Sequence, residues 1–390
     1  MGKTDPIKRA HELRENLIWE NELMVVDFSD TLQGKDTSRV IDTMPNVATG
    51  EYVFRAKVNV KELDKMASAE YGKEFFDVTQ HTNTEIEAFT RKQEFDFPLW
   101  YKHQPDFKMK NILDYNPPFI FQVAGCNFHD GSIGGGCSYC FVDNKSNDGV
   151  VSPGKAFLTG HDTIESMLSA REKIKTAYKE AGQDMHIRVL RASGGEPTLA
   201  LDWILDMWRE IGNRGLDFVG QIDSNLSTGM LVDEFERTGV YEPHTLEKLA
   251  EFPIKILTAI KGVDPHNLQE NVQSYTDIAI QEHSIKKFLN AGFDIFPQMY
   301  NPDPATLRPY LEHMDDVIEN FSQRIHIGPL KAYGPTIARI GESEIEAKKE
   351  EWDSNYKNGC EILDTHLRKR YGVGYKEVTR SDVPLKILKK

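Results

Sequence analysis

Four cysteines in 390 residues are too few for a disulfide-stapled secreted domain, and three of them crowd into one stretch. Positive charge is short as well. Lys and Arg number 47 against 61 Asp and Glu, a net charge of -14, so duplex nucleic acid, whose phosphates need a cationic surface, is not an expected partner. Two local basic runs, Arg368-Lys369-Arg370 and Lys386-Ile387-Leu388-Lys389-Lys390, read as solvated faces. No apolar run approaches the ~18 residues of a membrane span. The opening residues, Met1-Gly2-Lys3-Thr4-Asp5-Pro6, carry neither a signal-peptide core nor the Ser or Thr at position six that N-myristoylation uses, so a cytoplasmic protein with no membrane partner is expected. Repeats and low-complexity tracts are also missing, which removes solenoids and linker-dominated chains. The apolar share, 39%, is ordinary, and the length allows one large domain or two to three smaller ones.

The three clustered cysteines lie in residues 117–143. There an apolar run, 119–124, gives way to a loop carrying Cys126, Cys137 and Cys140 in the spacing C-x10-C-x2-C. Thiolates bind soft or borderline cations, which makes iron and zinc the two candidates. Cys137 and Cys140 can face one centre through a single turn, and Gly131, Gly134, Gly135 and Gly136 let the chain fold Cys126 back towards them. Three thiolates with no fourth nearby imply either a mixed zinc site or a cubane cluster with one iron left open. His129 keeps zinc in play, because C-x2-H-x7-C-x2-C is a workable zinc spacing.

A second motif follows the strand-like run Ile187-Arg188-Val189-Leu190. It reads Ser193-Gly194-Gly195-Glu196-Pro197-Thr198-Leu199, a Gly-Gly turn with a carboxylate at its tip. A cysteine triplet at the end of one expected strand, then G-G-E-P at the end of the next, resembles the radical S-adenosylmethionine (SAM) enzymes. The resemblance implies that Cys126, Cys137 and Cys140 ligate a 4Fe-4S cluster, with the amino and carboxylate groups of SAM on the fourth iron. It also implies that Ser193, Gly194, Gly195 and Glu196 meet the methionine ammonium. Tyr139, in the aromatic slot before the last cysteine, would bring its backbone against the adenine, and His129 becomes a loop residue. The commonest spacing in that family is C-x3-C-x2-C, so the gap of ten marks an atypical branch. Asp223-Ser224-Asn225 resembles the D-T-N stretch of glycyl-radical-enzyme activases, whose polar side chains face the SAM carboxylate or ribose; an Asx turn or helix cap is the alternative. Lys261 matches by place the lysine of those activases' D-x-K stretch, a ligand for the SAM carboxylate, with Ala259 where the aspartate would stand.

From Phe119 onward short apolar runs alternate with amphipathic segments, the pattern of βα units feeding a parallel sheet. Strands are expected at 119–124, 186–192, 216–222, 254–260, 293–300 and 324–330, and helices at 162–181, 201–213 and 276–291. Six such units are what the resemblance requires: an α/β fold with a partial (β/α)6 radical SAM barrel over residues 116–335 and ligands at the carboxyl ends of the strands. Residues 1–115 are expected to form an N-terminal α+β extension of unknown role, with helices near 8–24, 59–71 and 82–94, a strand at 50–60 and an aromatic packing strip at 95–101. Residues 336–390 form a C-terminal helical extension. In its helix, 342–370, Trp352, Tyr356, Cys360, Leu363 and Leu367 recur at helical spacing, which puts Cys360 in an apolar stripe and argues against a second cluster. Of Arg188 and Arg191, one should face the site, and Gln298, Tyr300, His326 and Lys331 are candidates for lining the substrate space.

The expected function is therefore an iron-sulfur oxidoreductase or transferase-type enzyme that cleaves SAM reductively to a 5′-deoxyadenosyl radical, which takes a hydrogen atom from a substrate. A reduced flavodoxin or ferredoxin-like protein would donate the electron. The substrate is either a small molecule or, for an activase, a glycine of a partner enzyme; the sequence does not separate the two. From a different class comes a zinc-stabilised, non-catalytic binding protein.

Overall fold

The computed structural model describes residues 5–27, 39–45, 53–58, 82, 85, 119–132, 135–180, 188–272 and 277–388. The helices expected at 59–71 and 82–94 and the aromatic strip at 95–101 lie outside these residues, but for Thr82 and Glu85. In chain order the strands are β1 Ile18–Trp19, β2 Glu22–Val26, β3 Arg39–Pro45, β4 Val53–Val58, β5 Phe119–Val123, β6 Lys155–Leu158, β7 Val189–Gly194, β8 Val219–Ser224, β9 Ile254–Ile260, β10 Asp294–Tyr300, β11 Ile318–Glu319, β12 His326–Gly328 and β13 Lys386–Ile387.

The main sheet runs β1-β2-β5-β7-β8-β9-β10-β12. From β5 to β12 every neighbouring pair is parallel, and spatial order follows chain order. This is a partial (β/α)6 barrel. It stays open, because β5 meets β2 and β4 on its other side, both antiparallel, while β12 ends the path. Residues 18–26 and 53–58 thus share the barrel's own sheet, as does β6 through its pairing with β2.

Strand alternation sorts the side chains by face. Phe119, Phe121, Leu190, Ala192, Ile222, Ile256, Ile295 and Met299 are buried in the main core under the helices. The other face mixes apolar side chains such as Val189, Val219, Leu257 and Phe296 with a row of polar ones. Register places Ile120 beside Arg191, Arg191 beside Gln221, Gln221 beside Lys255, and Lys255 beside Asp294, one residue from each of five strands.

Local chemistry accounts for the element boundaries. Three helices, Pro6–Leu17, Pro265–Asn271 and Pro304–Val317, begin at an Asp-Pro pair; each aspartate caps free N–H groups and each proline occupies a first-turn position where no N–H is needed. The first helix stops at Leu17, short of the expected 24, because Glu20 and Asn21 both adopt positive φ and turn the chain into a β1–β2 hairpin. Helix Leu201–Asn213 and strand β9 match their expected bounds. Strand β12 is only three residues long; Pro329 follows it and brings no N–H to a ladder. In helix Ile345–Tyr371, Trp352, Leu363 and Leu367 are buried, with Tyr356 and Cys360 packed partly buried against the core.

The amino ends of the strands are closed by the C-terminal segment. Buried Arg324 pairs with Asp294 and donates to the carbonyls of Arg380 (2.7 Å) and Val383 (2.6 Å), with its guanidinium 3.8 Å from the Phe296 ring centroid. Lys255, also buried, reaches Asp294 at 2.8 Å. Arg324→Ala leaves Asp294 short of a partner and strips buried carbonyls of their donor. It should cost about 3–5 kcal/mol in urea unfolding and expose residues 372–388 to limited proteolysis.

Candidate functional site

The site is built where β5, β7, β8 and β9 end. At the β7 turn, Gly195 N–H donates to Val123 C=O (2.8 Å) and Glu196 N–H to Gly125 C=O (2.7 Å), which locks the Gly-Gly turn onto the strand end that leads into Cys126. Gly194 has φ +94°, and a Cβ on Gly195 would stand 1.8 Å from the Gly125 oxygen, so no other residue fits that contact. Glu196 is fully buried. Its carboxylate accepts from Thr198 N–H (3.2 Å), Thr198 Oγ1 (2.5 Å), Ser224 Oγ (2.6 Å) and Asn225 N–H (2.8 Å). Burial pushes the carboxyl above its ordinary range, and these hydrogen bonds work against that. Four protein donors reach this carboxylate, and it joins the end of β7 to the end of β8.

Cys126, Cys137 and Cys140 are all free thiols, Cys137 buried and the other two half-buried. Two of the sulfurs receive an amide nitrogen, each from a different element. Asn225, just past β8, points Nδ2 at Cys126 Sγ (3.7 Å), and Asn147, in the short helix Asn144–Asn147, points Nδ2 at Cys140 Sγ (3.8 Å). Lys261, one residue past β9, is near enough for its charge to act on the thiols. Burial pushes the Cys126 thiol well up, with Cys137, Glu196 and Cys140 adding to the shift. Burial also raises Cys137, opposed by the neighbouring Lys261. The Lys261 ammonium itself is held above its ordinary value: burial opposes the charge, and Cys137, Tyr139, Cys140 and Cys126 together outweigh that. Tyr139 packs beside Cys137, with the Lys261 Nζ 5.5 Å from its ring centroid and the Tyr300 ring 6.1 Å away. Its hydroxyl is buried and has no hydrogen-bond partner among the described residues.

Iron and zinc make different demands on such thiols. A single zinc ion draws its ligands to about 2–2.3 Å of one point, whereas a cubane takes one thiolate per iron. Among the described residues no three His, Cys, Asp or Glu side chains gather closely enough to hold one ion. His129 is committed elsewhere: Nδ1 accepts from Gly131 N–H (3.0 Å), so Nε2 carries the proton and faces Asn144 Oδ1 (3.3 Å). The buried Tyr139 hydroxyl, left unsatisfied by the described residues beside these thiols, fits an adjoining ligand.

The remaining expected residues divide. Ser224 Oγ serves Glu196, and Asn225 joins Cys126, Asn127 and Ser227 in one polar network. Asp223 faces the barrel interior, where it accepts from Arg191 Nε (2.5 Å) and Gln221 Nε2 (2.7 Å). Arg188 sits at the opposite, amino end of β7 and pairs with Asp217 at 3.3 Å, so of the two arginines it is Arg191 that faces inward. Tyr300 donates to Gln298 (2.5 Å) on the inner face, with His326 beside Gln298 in register; Lys331 is exposed beyond β12.

Several residues that organise the site carry no motif. Gln281, buried on helix Ile278–Asn290, donates to the carbonyls of Asn225 and Ala259 and accepts from Lys261 N–H, bridging the ends of β8 and β9. Arg339, on helix Gly334–Ile340, grips the cysteine loop through the carbonyls of Cys140 and Val142 and the Asn144 side chain. Arg9 does the same from the first helix, through the carbonyls of His129 and Asp148. Leu330, Ala332, Ile337, Ile340 and Trp352 complete an apolar cluster around the thiols.

No protein-family model matches the chain, and no curated protein matches it. Among solved structures, TsrM from Kitasatospora setae, a radical S-adenosylmethionine methyltransferase with cobalamin and a 4Fe-4S cluster bound, matches over 55% of this chain and 37% of its own, at 12% identity and a TM-score of 0.33. OxsB, a cobalamin-dependent S-adenosylmethionine radical enzyme, matches with aqua-cobalamin and S-adenosylmethionine bound over 65% of this chain and 31% of its own, at 12% identity and a TM-score of 0.35. Both are radical SAM enzymes. This chain spans about a third of their length. No described helix is long and apolar enough to cross a membrane.

Glu196→Ala should remove an acceptor from four donors at once and loosen two strand ends. The expected cost is about 3–5 kcal/mol by chemical denaturation, and Asn225 amide protection in hydrogen exchange should fall with it.

Proposed function

We propose that this chain is a radical SAM enzyme that holds a 4Fe-4S cluster on Cys126, Cys137 and Cys140 and abstracts hydrogen from a small polar substrate in the barrel interior. The observation that carries the reading is the joining of Cys126 to the Gly-Gly turn through the 2.7 Å bond from Glu196 N–H to Gly125 C=O, with amide nitrogens facing the sulfurs of Cys126 and Cys140. When bound, the cluster supplies the electron that splits the sulfonium of SAM and leaves a 5′-deoxyadenosyl radical.

The chain's own residues bind, orient and exclude water. Three thiolates leave one iron for SAM, and the Tyr139 hydroxyl is a buried polar group left for a ligand. Ser193, Gly194, Gly195 and the backbone around Glu196 form the turn against which the methionine end rests. Asp223, Ser224 and Asn225 present the end of β8 to the rest of the cofactor. Arg191, Gln221, Asp223, Gln298, Tyr300 and His326 give the interior paired donors and acceptors suited to a polar metabolite. Leu330, Ala332, Ile337, Ile340 and Trp352 keep water from the thiols, and this apolar cover favours a small substrate over the backbone of a partner protein. A reduced flavodoxin or ferredoxin-like protein serves as one-electron donor, and free thiols suit a reducing cytoplasm.

Anaerobic reconstitution should load about four irons per chain and no stoichiometric zinc, and dithionite with SAM should release 5′-deoxyadenosine. Replacing Cys126, Cys137 or Cys140 with Ala should abolish release, and Cys360→Ala should leave it unchanged. A colourless protein with about one zinc per chain would instead establish the zinc-stabilised binding protein.

A further inference from the structure

The second half of the cysteine loop rests on a chain of buried amides that ends on the C-terminal helix. Cys137 forms an antiparallel bridge with Val272, and the next residue, Ser138, donates its N–H to the Asn271 carbonyl (2.9 Å). Asn271 is the last residue of helix Pro265–Asn271 and is fully buried. Its Nδ2 donates to the carbonyls of Lys261 (3.0 Å) and Asn301 (3.2 Å), and its Oδ1 accepts from Asn301 Nδ2 (2.8 Å). Asn301 stands one residue past β10 with φ +49°, a left-handed conformation that asparagine tolerates, and its carbonyl also accepts from Asn267 Nδ2 (3.1 Å). The Asn301 Oδ1 accepts in turn from Asn355 Nδ2 (2.8 Å), on helix Ile345–Tyr371. Three residues before Asn355, Trp352 belongs to the same apolar cluster as Phe128, Cys137 and Tyr139. Four residues after it, Gly359 lets the helix close on the residue that follows Asn301, since a Cβ there would stand 3.1 Å from Pro302 Cγ. Residues 352, 355 and 359 share one helix face.

Building on the radical SAM reading, in which Cys137 is a cluster ligand, we propose that Asn271 and Asn301 are positioning residues for Cys137, and that the C-terminal helix sets the place of that thiol through Asn355. The amides run in one sense, Asn355 donating to Asn301 and Asn301 to Asn271. A buried amide deprived of its partner carries the full cost of its lost hydration, so a displacement at one amide passes to the next instead of being absorbed by water. At the inner end it reaches the backbone of residues 271 and 272, which holds Ser138 and Cys137. Cys126 is placed by other means: it follows Gly125, which Glu196 N–H holds, and its sulfur faces Asn225. The relay therefore acts on one thiol, and the helix Ile345–Tyr371, outside the barrel strands, is part of the thiol site.

The test is iodoacetamide alkylation of the reduced, iron-free, full-length chain, read cysteine by cysteine by peptide mass spectrometry, for wild type, Asn301→Gly, Asn355→Ala and Asn358→Ala. N301G keeps the left-handed backbone and removes only the amide. Asn358, exposed on the same helix and facing Ser354 (3.4 Å), is the control. Cys137 should react about tenfold faster in N301G and about threefold faster in N355A, with Cys126 within about twofold of wild type and N358A unchanged. Equal acceleration at all four cysteines makes the amides a support of the whole fold, which overturns the proposal. An N358A effect as large as that of N355A makes helix stability the cause and overturns it too, as does an unchanged Cys137 in N355A. After anaerobic reconstitution, N301G should hold about half the iron of wild type or less. Iron equal to wild type means that Cys137 needs no placing, and the proposal falls. A wild-type chain that takes up no iron sinks the radical SAM reading itself, and the alkylation pattern still decides whether the amides place Cys137.

Discussion

The carboxylate of Glu196 is the point on which the site depends. Its two oxygens take four donors from the start of the next helical turn and from the end of β8, while its own N–H holds Gly125 at the end of β5. Three strand ends are thereby fixed to one residue. Gly125 precedes Cys126, and Asn225, held by the same carboxylate, donates to the Cys126 sulfur. A net hydrogen bond contributes only about 1 kcal/mol, but a buried carboxylate deprived of its donors costs several, so the four bonds hold or fail together. The turn between β7 and its helix thus sets where the first thiol stands and what faces it.

The barrel turns this fixed rim into a site by having two faces of opposite character. Outward residues such as Phe121, Ala192, Ile222, Ile256 and Ile295 bury themselves under helices. Inward ones are arranged in layers. Near the amino ends, buried Lys255 and Arg324 meet on the partly exposed Asp294, and Arg324 ties this ionic floor to the C-terminal segment. Above it, Arg191, Gln221 and Asp223 satisfy one another, and Gln298 and Tyr300 do likewise. Charges buried in a barrel interior persist only when paired, and these pairings keep the charged groups of the interior partnered. That arrangement suits a polar ligand, which can join an existing network in place of water.

Much of this was legible from pattern alone, and the rest was hidden for one physical reason. The parallel strands, the helix over 201–213, the cysteine triplet and the Gly-Gly turn are local signals: period, propensity and spacing within a few residues of one another. The 254–260 strand needed only its own β-branched run. Gln281, Arg339, Arg9 and Asn147 gave no such signal. Gln281 works 56 residues from Asn225, Arg339 works 199 residues from Cys140, and Arg9 works 139 residues from Asp148. Gln281, Arg339 and Arg9 reach distant backbone carbonyls, and a backbone carbonyl leaves no trace in the sequence. Glu196 was found for its place, while its bonds to Ser224 and Asn225 carry no sign in the turn motif. The hairpin at 18–26 was missed for the opposite cause: helical periodicity ran on through Glu20 and Asn21, whose positive φ values end it.

The ten-residue gap between Cys126 and Cys137 is thermodynamically mild. Lengthening a flexible closure from three residues to ten costs about 1 kcal/mol by loop-entropy scaling. The fold offsets that with contacts a shorter loop has no residues to make. Asn127 donates to Ser227 (2.8 Å) and accepts from Asn225 (3.0 Å); His129 pins Gly131 on one ring nitrogen and Asn144 with the other; the His129 carbonyl takes Arg9. Any two of these bonds, at about 1 kcal/mol each net, exceed the added closure cost. Length is therefore not what limits the cysteine loop. What limits it is that Cys137 must return to Val272, with which it forms a bridge, and Cys140 to Asn147, and those two positions are set by the end of helix Pro265–Asn271 and by the short helix after the loop, not by the loop itself. A deletion within 127–136 that kept both returns would spare the thiols.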